Sequence, residues 1–192
     1  ATVEHRDWFL LGCLFIKILY ASCVLMLRRK ERALGYFIFL GANVIIRIII
    51  IGSYIIYNIP YISNFDISVR LEYLTLYWLP TSFLMLSSVQ FQDYIKPIVV
   101  RISLVYAVIF SLVILFTPIS IFTQTKIFSE VGIILLTFYT LYKISKAFLL
   151  GNRDAGPILI GACFMAMGTT YDFLLQICMI PGSSAELMPV VF

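Results

Sequence analysis

Six apolar runs, each about as long as a helix needs to cross a bilayer, leave this chain few ways to fold. They lie at about 8–27, 34–57, 67–92, 98–117, 129–149 and 155–179. A backbone inside hydrocarbon must satisfy every N–H and C=O internally, which leaves helices or closed barrels. Runs of this length with no alternating pattern select the helix. Composition agrees: 61% of the residues are hydrophobic and 12% charged, and a soluble domain carries about twice that charge. The first run is too long, and too well matched by later ones, to be only a secretory leader. The expected fold is an all-α integral membrane protein, a polytopic bundle forming a single transmembrane domain over residues 1–192.

Charge between the runs sets an expected orientation. Arg28, Arg29, Lys30, Arg32, Lys96, Arg101, Lys143, Lys146 and Arg153 follow the odd-numbered runs. The other side carries Arg6 and Lys126, with Arg70 near a helix start. Excess Lys and Arg mark the cytoplasmic side, so the amino terminus is expected outside. The Arg28–Arg32 cluster then reads as a topology signal against anionic lipid, not as a nucleic-acid site. At the other end, Ser183 and Glu186 have capping-box spacing after a Pro181-Gly182 turn. The expectation is six complete helices plus the first turns of a seventh from about residue 184.

Lys17, Arg47, Glu72 and Asp172 sit inside the apolar runs. A charge in hydrocarbon costs several kcal/mol unless paired or wetted, so each is a functional hypothesis. In the second run Tyr36, Leu40, Asn43, Arg47, Ile50 and Tyr54 recur three and four residues apart, which places them on one helical face. With Asn43 and Arg47 on it, that face is expected to meet protein or water. In the sixth run Gly161, Met165, Gly168 and Asp172 form a small-residue stripe expected to pack. Arg70 and Glu72, two residues apart, point in nearly opposite directions. Arg70 is expected at the outer interface with Glu72 turned inward. Pro80, inside the third run, is expected to kink its helix as fixed shape or as a hinge.

Lys17, Asn43, Arg47, Glu72 and Asp172 are thus expected to form an intramembrane polar network. It has three readings: ion pairs that fix helix register, a ligand pocket or switch, or a proton or ion path. Cys13, Cys23, Cys163 and Cys178 have no short paired spacing and read as small hydrophobes; a Cys13–Cys178 bridge is the alternative. His5 is the sole histidine, too little for a zinc site of the usual kind. No nucleophile elbow, H-E-x-x-H or phosphate loop occurs. No enzyme activity, metal or cofactor is expected.

The run Leu27-Arg-Arg-Lys-Glu-Arg32-Ala-Leu-Gly-Tyr36-Phe, then Arg47, then Arg70-Leu-Glu72-Tyr73-Leu with Pro80, resembles a known family. So do Leu11-Gly12-Cys-Leu-Phe with Leu19-Tyr20 in the first run, and Asp172 late in the sixth. The family is the bacterial seven-transmembrane receptors with diverse intracellular signalling modules (7TMR-DISM). The likeness runs from about Trp8 to Ile180; Lys17 departs from it, standing where a hydrophobe is commoner.

The resemblance implies an extracytoplasmic ligand-binding domain before this segment and a cytoplasmic output domain after it, such as a diguanylate cyclase or histidine kinase. It implies a multi-pass protein of the bacterial inner membrane that relays a signal by helix movement or by rearrangement within a homodimer. Its partners would be the lipid bilayer and those flanking domains, with no nucleic acid. It carries Arg47, Arg70, Glu72 and Asp172 over as structural or signalling positions. The competing reading is a small transporter or channel subunit with a polar intramembrane site.

Overall fold

The computed structural model describes residues 2–28, 31–51, 65–118 and 126–179. Within those, the side chains of 2–7, 51, 65, 126–128, 168–169 and 171–179 lie outside the description. The expected seventh helix lies outside the described residues. Among the described residues six helices follow in order: α1 (Thr2–Leu27), α2 (Arg32–Ile51), α3 (Phe65–Gln90), α4 (Pro97–Phe116), α5 (Lys126–Leu149) and α6 (Ala155–Met179). No strand occurs among the described residues. Four helices are long and apolar enough to cross a membrane by length and composition: α1, α2, α4 and α5.

Contacts divide the chain into two units, Ala1–Ser129 and Glu130–Phe192. In the first, α1 packs on α2, α2 on α3 and α3 on α4. The α1–α2 approach is tight at Gly41, where an added Cβ would lie 2.8 Å from Cγ1 and Cδ1 of Ile18. A larger residue at 41 would have to displace the Ile18 side chain. Asn43, two residues along, is buried and donates its amide to the Phe39 carbonyl, 2.9 Å away on the same helix.

Burial in this unit does not follow hydropathy. Only 6% of the apolar α1 span is buried, against 11% of α2 and 22% of α4. The helix with most polar side chains, α3, is the one most enclosed: Tyr73, Thr75, Tyr77, Thr81, Leu84 and Ser87 are all buried on it. Asp66, Arg70 and Glu72 interrupt its apolar run near the start. A helix that faces protein can carry hydroxyls if they find partners; one that faces hydrocarbon cannot. Pro80 is buried within α3, and the helix continues to Gln90. Proline has no N–H to donate back to Leu76. Neighbouring hydroxyls bond the local carbonyls: Thr81 Oγ1 donates to Tyr77 O at 3.2 Å and Ser82 Oγ to Leu79 O at 2.8 Å. A tight turn with buried Phe91 and Ile95 leads into α4, which has Pro97 in its first turn where no N–H is needed.

The second unit begins within α5, at Glu130, and takes in the rest of that helix and α6. The carboxyl end of α5 closes in a Schellman pattern. Gly151 has φ 95°, Asn152 N–H reaches Ala147 O at 3.2 Å and Gly151 N–H reaches Phe148 O at 3.0 Å. Asn152 Oδ1 then accepts from Asp154 N at 3.2 Å, just before α6 begins. Along α5, Glu130, Ile133, Thr137, Thr140, Ile144 and Ala147 form a buried stripe at spacings of three and four. The buried stripe of α6 is Ala155, Ala162 and Ala166. Of the expected stripe of Gly161, Met165, Gly168 and Asp172, Gly161 is exposed, with nothing within 4 Å of an added Cβ, Met165 is half-buried, and the side chains of the other two lie outside the described residues. Alanine also permits close approach in lipid and costs less backbone entropy in a helix than glycine.

Candidate functional site

The polar residues of α3 meet α4 and the start of α5 in a ladder of hydrogen bonds. Its first rung is Arg70, half-buried one turn into α3. Nη1 donates to the carbonyl of Ile114 and, at 3.3 Å, to that of Leu115. These belong to the last turn of α4, where carbonyls lack intrahelical partners and the helix dipole favours a cation. Thr117 closes the same end: its N–H and Oγ1 both reach Val113 O.

Two turns deeper, Trp78 Nε1 donates to Ser111 Oγ at 3.0 Å, and Ser111 Oγ donates in turn to Ala107 O at 2.6 Å. The serine is thus used in both directions and fixes the indole. Its neighbour Tyr77, 1% exposed, shares a hydrogen bond with Ser129 Oγ at 2.9 Å. Tyr106 on α4 donates to the Ser129 carbonyl at 2.5 Å. Phe110 lies against both rings, 5.3 Å from Tyr77 and 4.6 Å from Tyr106 between centroids. The last rung joins Ser103 Oγ to Thr81 Oγ1 at 2.9 Å, and Thr81 passes the bond on to Tyr77 O.

On α4 the buried residues are Ser103, Ala107, Ser111 and Ile114. Small side chains at that spacing let the helices approach, and hydroxyls on the same face bond across the gap. Interhelical side-chain bonds in bilayers contribute about 0.6 kcal/mol each, so the ladder as a whole fixes register more than it adds stability. Because Ser111 and Thr81 each both donate and accept, shifting α3 along α4 breaks several bonds together. That makes the α3–α4 contact suited to discrete positions rather than continuous sliding.

The residues expected to form the polar network are placed as follows. Lys17 is exposed in the middle of the α1 span and makes no hydrogen bond or ion pair among the described residues. Asn43 is buried and bonded within its own helix. Arg47 is half-buried on α2. Glu72 is exposed, with its backbone carbonyl accepting from Thr75 Oγ1 at 2.8 Å. Asp172 stands on α6 with its side chain outside the described residues. Arg70, expected at the outer interface, donates to the carbonyls at the end of α4, and Glu72, expected to turn inward, is exposed. Two features escaped the sequence reading. One is the hydroxyl ladder itself, visible only as Ser103, Ala107 and Ser111 at intervals of four. The other is Glu130, a buried carboxylate at the edge of the fifth apolar run.

Cys13, Cys23 and Cys163 are free thiols, and Cys178 lies outside the described side chains. No group of three or more His, Cys, Asp or Glu residues gathers among the described residues. No curated protein and no solved structure matches the chain. The family described as 7TM diverse intracellular signalling matches residues 6–191. With apolar helices of membrane-crossing length and a polar helix enclosed among them, the chain belongs to that seven-transmembrane signalling family and is a multi-pass membrane protein.

Proposed function

We propose that this chain is the non-catalytic membrane transducer of a bacterial inner-membrane receptor. Six complete spans and the start of a seventh, with the amino terminus outside, pass an extracytoplasmic signal to a cytoplasmic output module. The observation that carries this reading is the family match over residues 6–191. It is supported by the one-sided distribution of Lys and Arg between the spans.

The α3–α4 ladder is the element suited to hold two states, since its bonds break and reform as a set. Buried Pro80 lies between Trp78 and Thr81, two of its rungs, and supplies a place for α3 to bend. Arg47 on α2 acts in this reading as a charge whose surroundings differ between the states. In the full-length receptor, Arg47→Ala shifts the basal output activity per inserted molecule. Parallel loss of inserted protein and output would assign Arg47 to folding instead. Reporter fusions in the Arg28–Arg32 loop are expected to report cytoplasm and those near Lys126 the outside; the reverse pattern overturns the orientation.

A further inference from the structure

Between α2 and α3 lies an open groove of about 630 Å³, separate from the ladder's α4 side, lined by Arg32, Gly35, Tyr36, Phe39, Trp78 and Met85. We propose that it binds an anionic phospholipid, one acyl chain lying in the groove and the phosphate on Arg32. The inference goes beyond signal relay and does not depend on which way the chain faces.

The lining follows from helix register. Arg32, Gly35, Tyr36 and Phe39 recur at three and four on one face of α2, and Trp78 and Met85 lie seven apart on one face of α3. Phe39 meets Trp78 edge-on, with centroids 5.4 Å apart and planes at 89°. Arg32 is seven residues from Phe39, as Met85 is from Trp78, so the helices run antiparallel along a trough of about 10 Å at 1.5 Å per residue. The aromatic pair stands at one end of it, and Arg32 at the other, where α2 begins.

The site is built before any lipid arrives. The Trp78 indole is held by its bond to Ser111, so the groove wall keeps its shape. Gly35 has nothing within 4 Å of an added Cβ and leaves room for a chain. An apolar trough that opens sideways in a membrane is filled by hydrocarbon. What singles out one lipid is charge at the mouth. Arg32 is exposed and makes no ion pair among the described residues. The nearby Glu31 is already engaged by Arg28 at 3.1 Å, and the sequence adds Arg29 and Lys30. A guanidinium at headgroup level, next to further cations, favours phosphate carried by a net-anionic lipid.

Trp78 is one of two tryptophans in the sequence, and it lines the groove. The test therefore uses the chain with Trp8→Phe, reconstituted in phosphatidylcholine vesicles containing a minor fraction of acyl-brominated lipid. Brominated phosphatidylglycerol is expected to quench Trp78 with about fivefold higher apparent affinity than brominated phosphatidylcholine, the preference one arginine at the surface confers. Arg32→Gln removes that preference while both lipids still quench, and Arg32→Lys largely keeps it. Gly35→Leu fills the trough and weakens quenching by both. Equal quenching by the two lipids in the Trp8→Phe chain would reduce the groove to ordinary lipid contact and overturn the proposal. Absence of quenching by either would mean that protein covers the groove, and would overturn it as well.

Discussion

Helix α1 and helix α3 have the same length, 26 residues, and opposite relations between sequence and surroundings. In α1 an apolar span is left almost bare: Phe15, Ile16 and Tyr20 are at least 60% exposed. In α3 hydroxyls and aromatic rings are enclosed, with Thr81, Ser82 and Ser87 fully buried. In water this would be an inverted protein. In a bilayer it is the expected economy, because hydrocarbon solvates leucine as well as a protein core does and solvates a serine badly. The pair teaches that burial here follows the need for hydrogen-bond partners rather than hydropathy.

The sharpest way to break the comparison is to make the same change on both helices. Tyr77→Ala opens a cavity and removes the bond to Ser129, and is expected to destabilise by about 3–5 kcal/mol. Tyr20→Ala on α1, where the ring is 71% exposed, should stay within about 0.5 kcal/mol. Both are read as shifts of the unfolding midpoint in mixed micelles. Similar costs for the two would remove the distinction. Lys17 is a charged residue exposed within the apolar span of α1. Its replacement by leucine should favour α1 insertion by about 3 kcal/mol in a translocon assay; no change would mean that the ammonium is not in hydrocarbon.

Smaller effects sharpen the picture. Gly41→Val forces Ile18 aside and should cost about 1–3 kcal/mol. Hydrogen exchange should rise in α1 and stay unchanged in α3; a rise confined to α3 would misplace the contact. Ser111→Ala leaves the half-buried indole N–H without its acceptor and should cost about 1 kcal/mol, with a blue-shifted Trp78 emission. An unchanged spectrum would mean that the bond to Ser111 does not form.

The sequence made the membrane class legible because helices facing lipid must be apolar along their length, and α1, α2, α4 and α5 are. It was less informative where the outcome depends on a neighbour. That Arg70 and Glu72 point apart follows from helix geometry, but which of them turns inward depends on the free carbonyls at the end of α4. The α6 stripe shows the same limit: Gly161 and Ala162 are adjacent and both small, and only packing selects the alanine face. Asn43 looked like a partner for another helix, yet its amide is satisfied one turn back on its own. The ladder on α3 was hidden because serine and threonine carry no charge to draw attention in an apolar run.

The central claim, that the most polar helix is shielded and the most apolar ones face lipid, can be tested on the unmodified chain. A membrane-soluble diazirine reagent, photolysed in liposomes and mapped by peptide, labels side chains that touch hydrocarbon. Labelling is expected to be dense over Phe15–Tyr20 of α1 and sparse over Tyr73–Ser87 of α3. Labelling of α3 as dense as that of α1 would contradict the account.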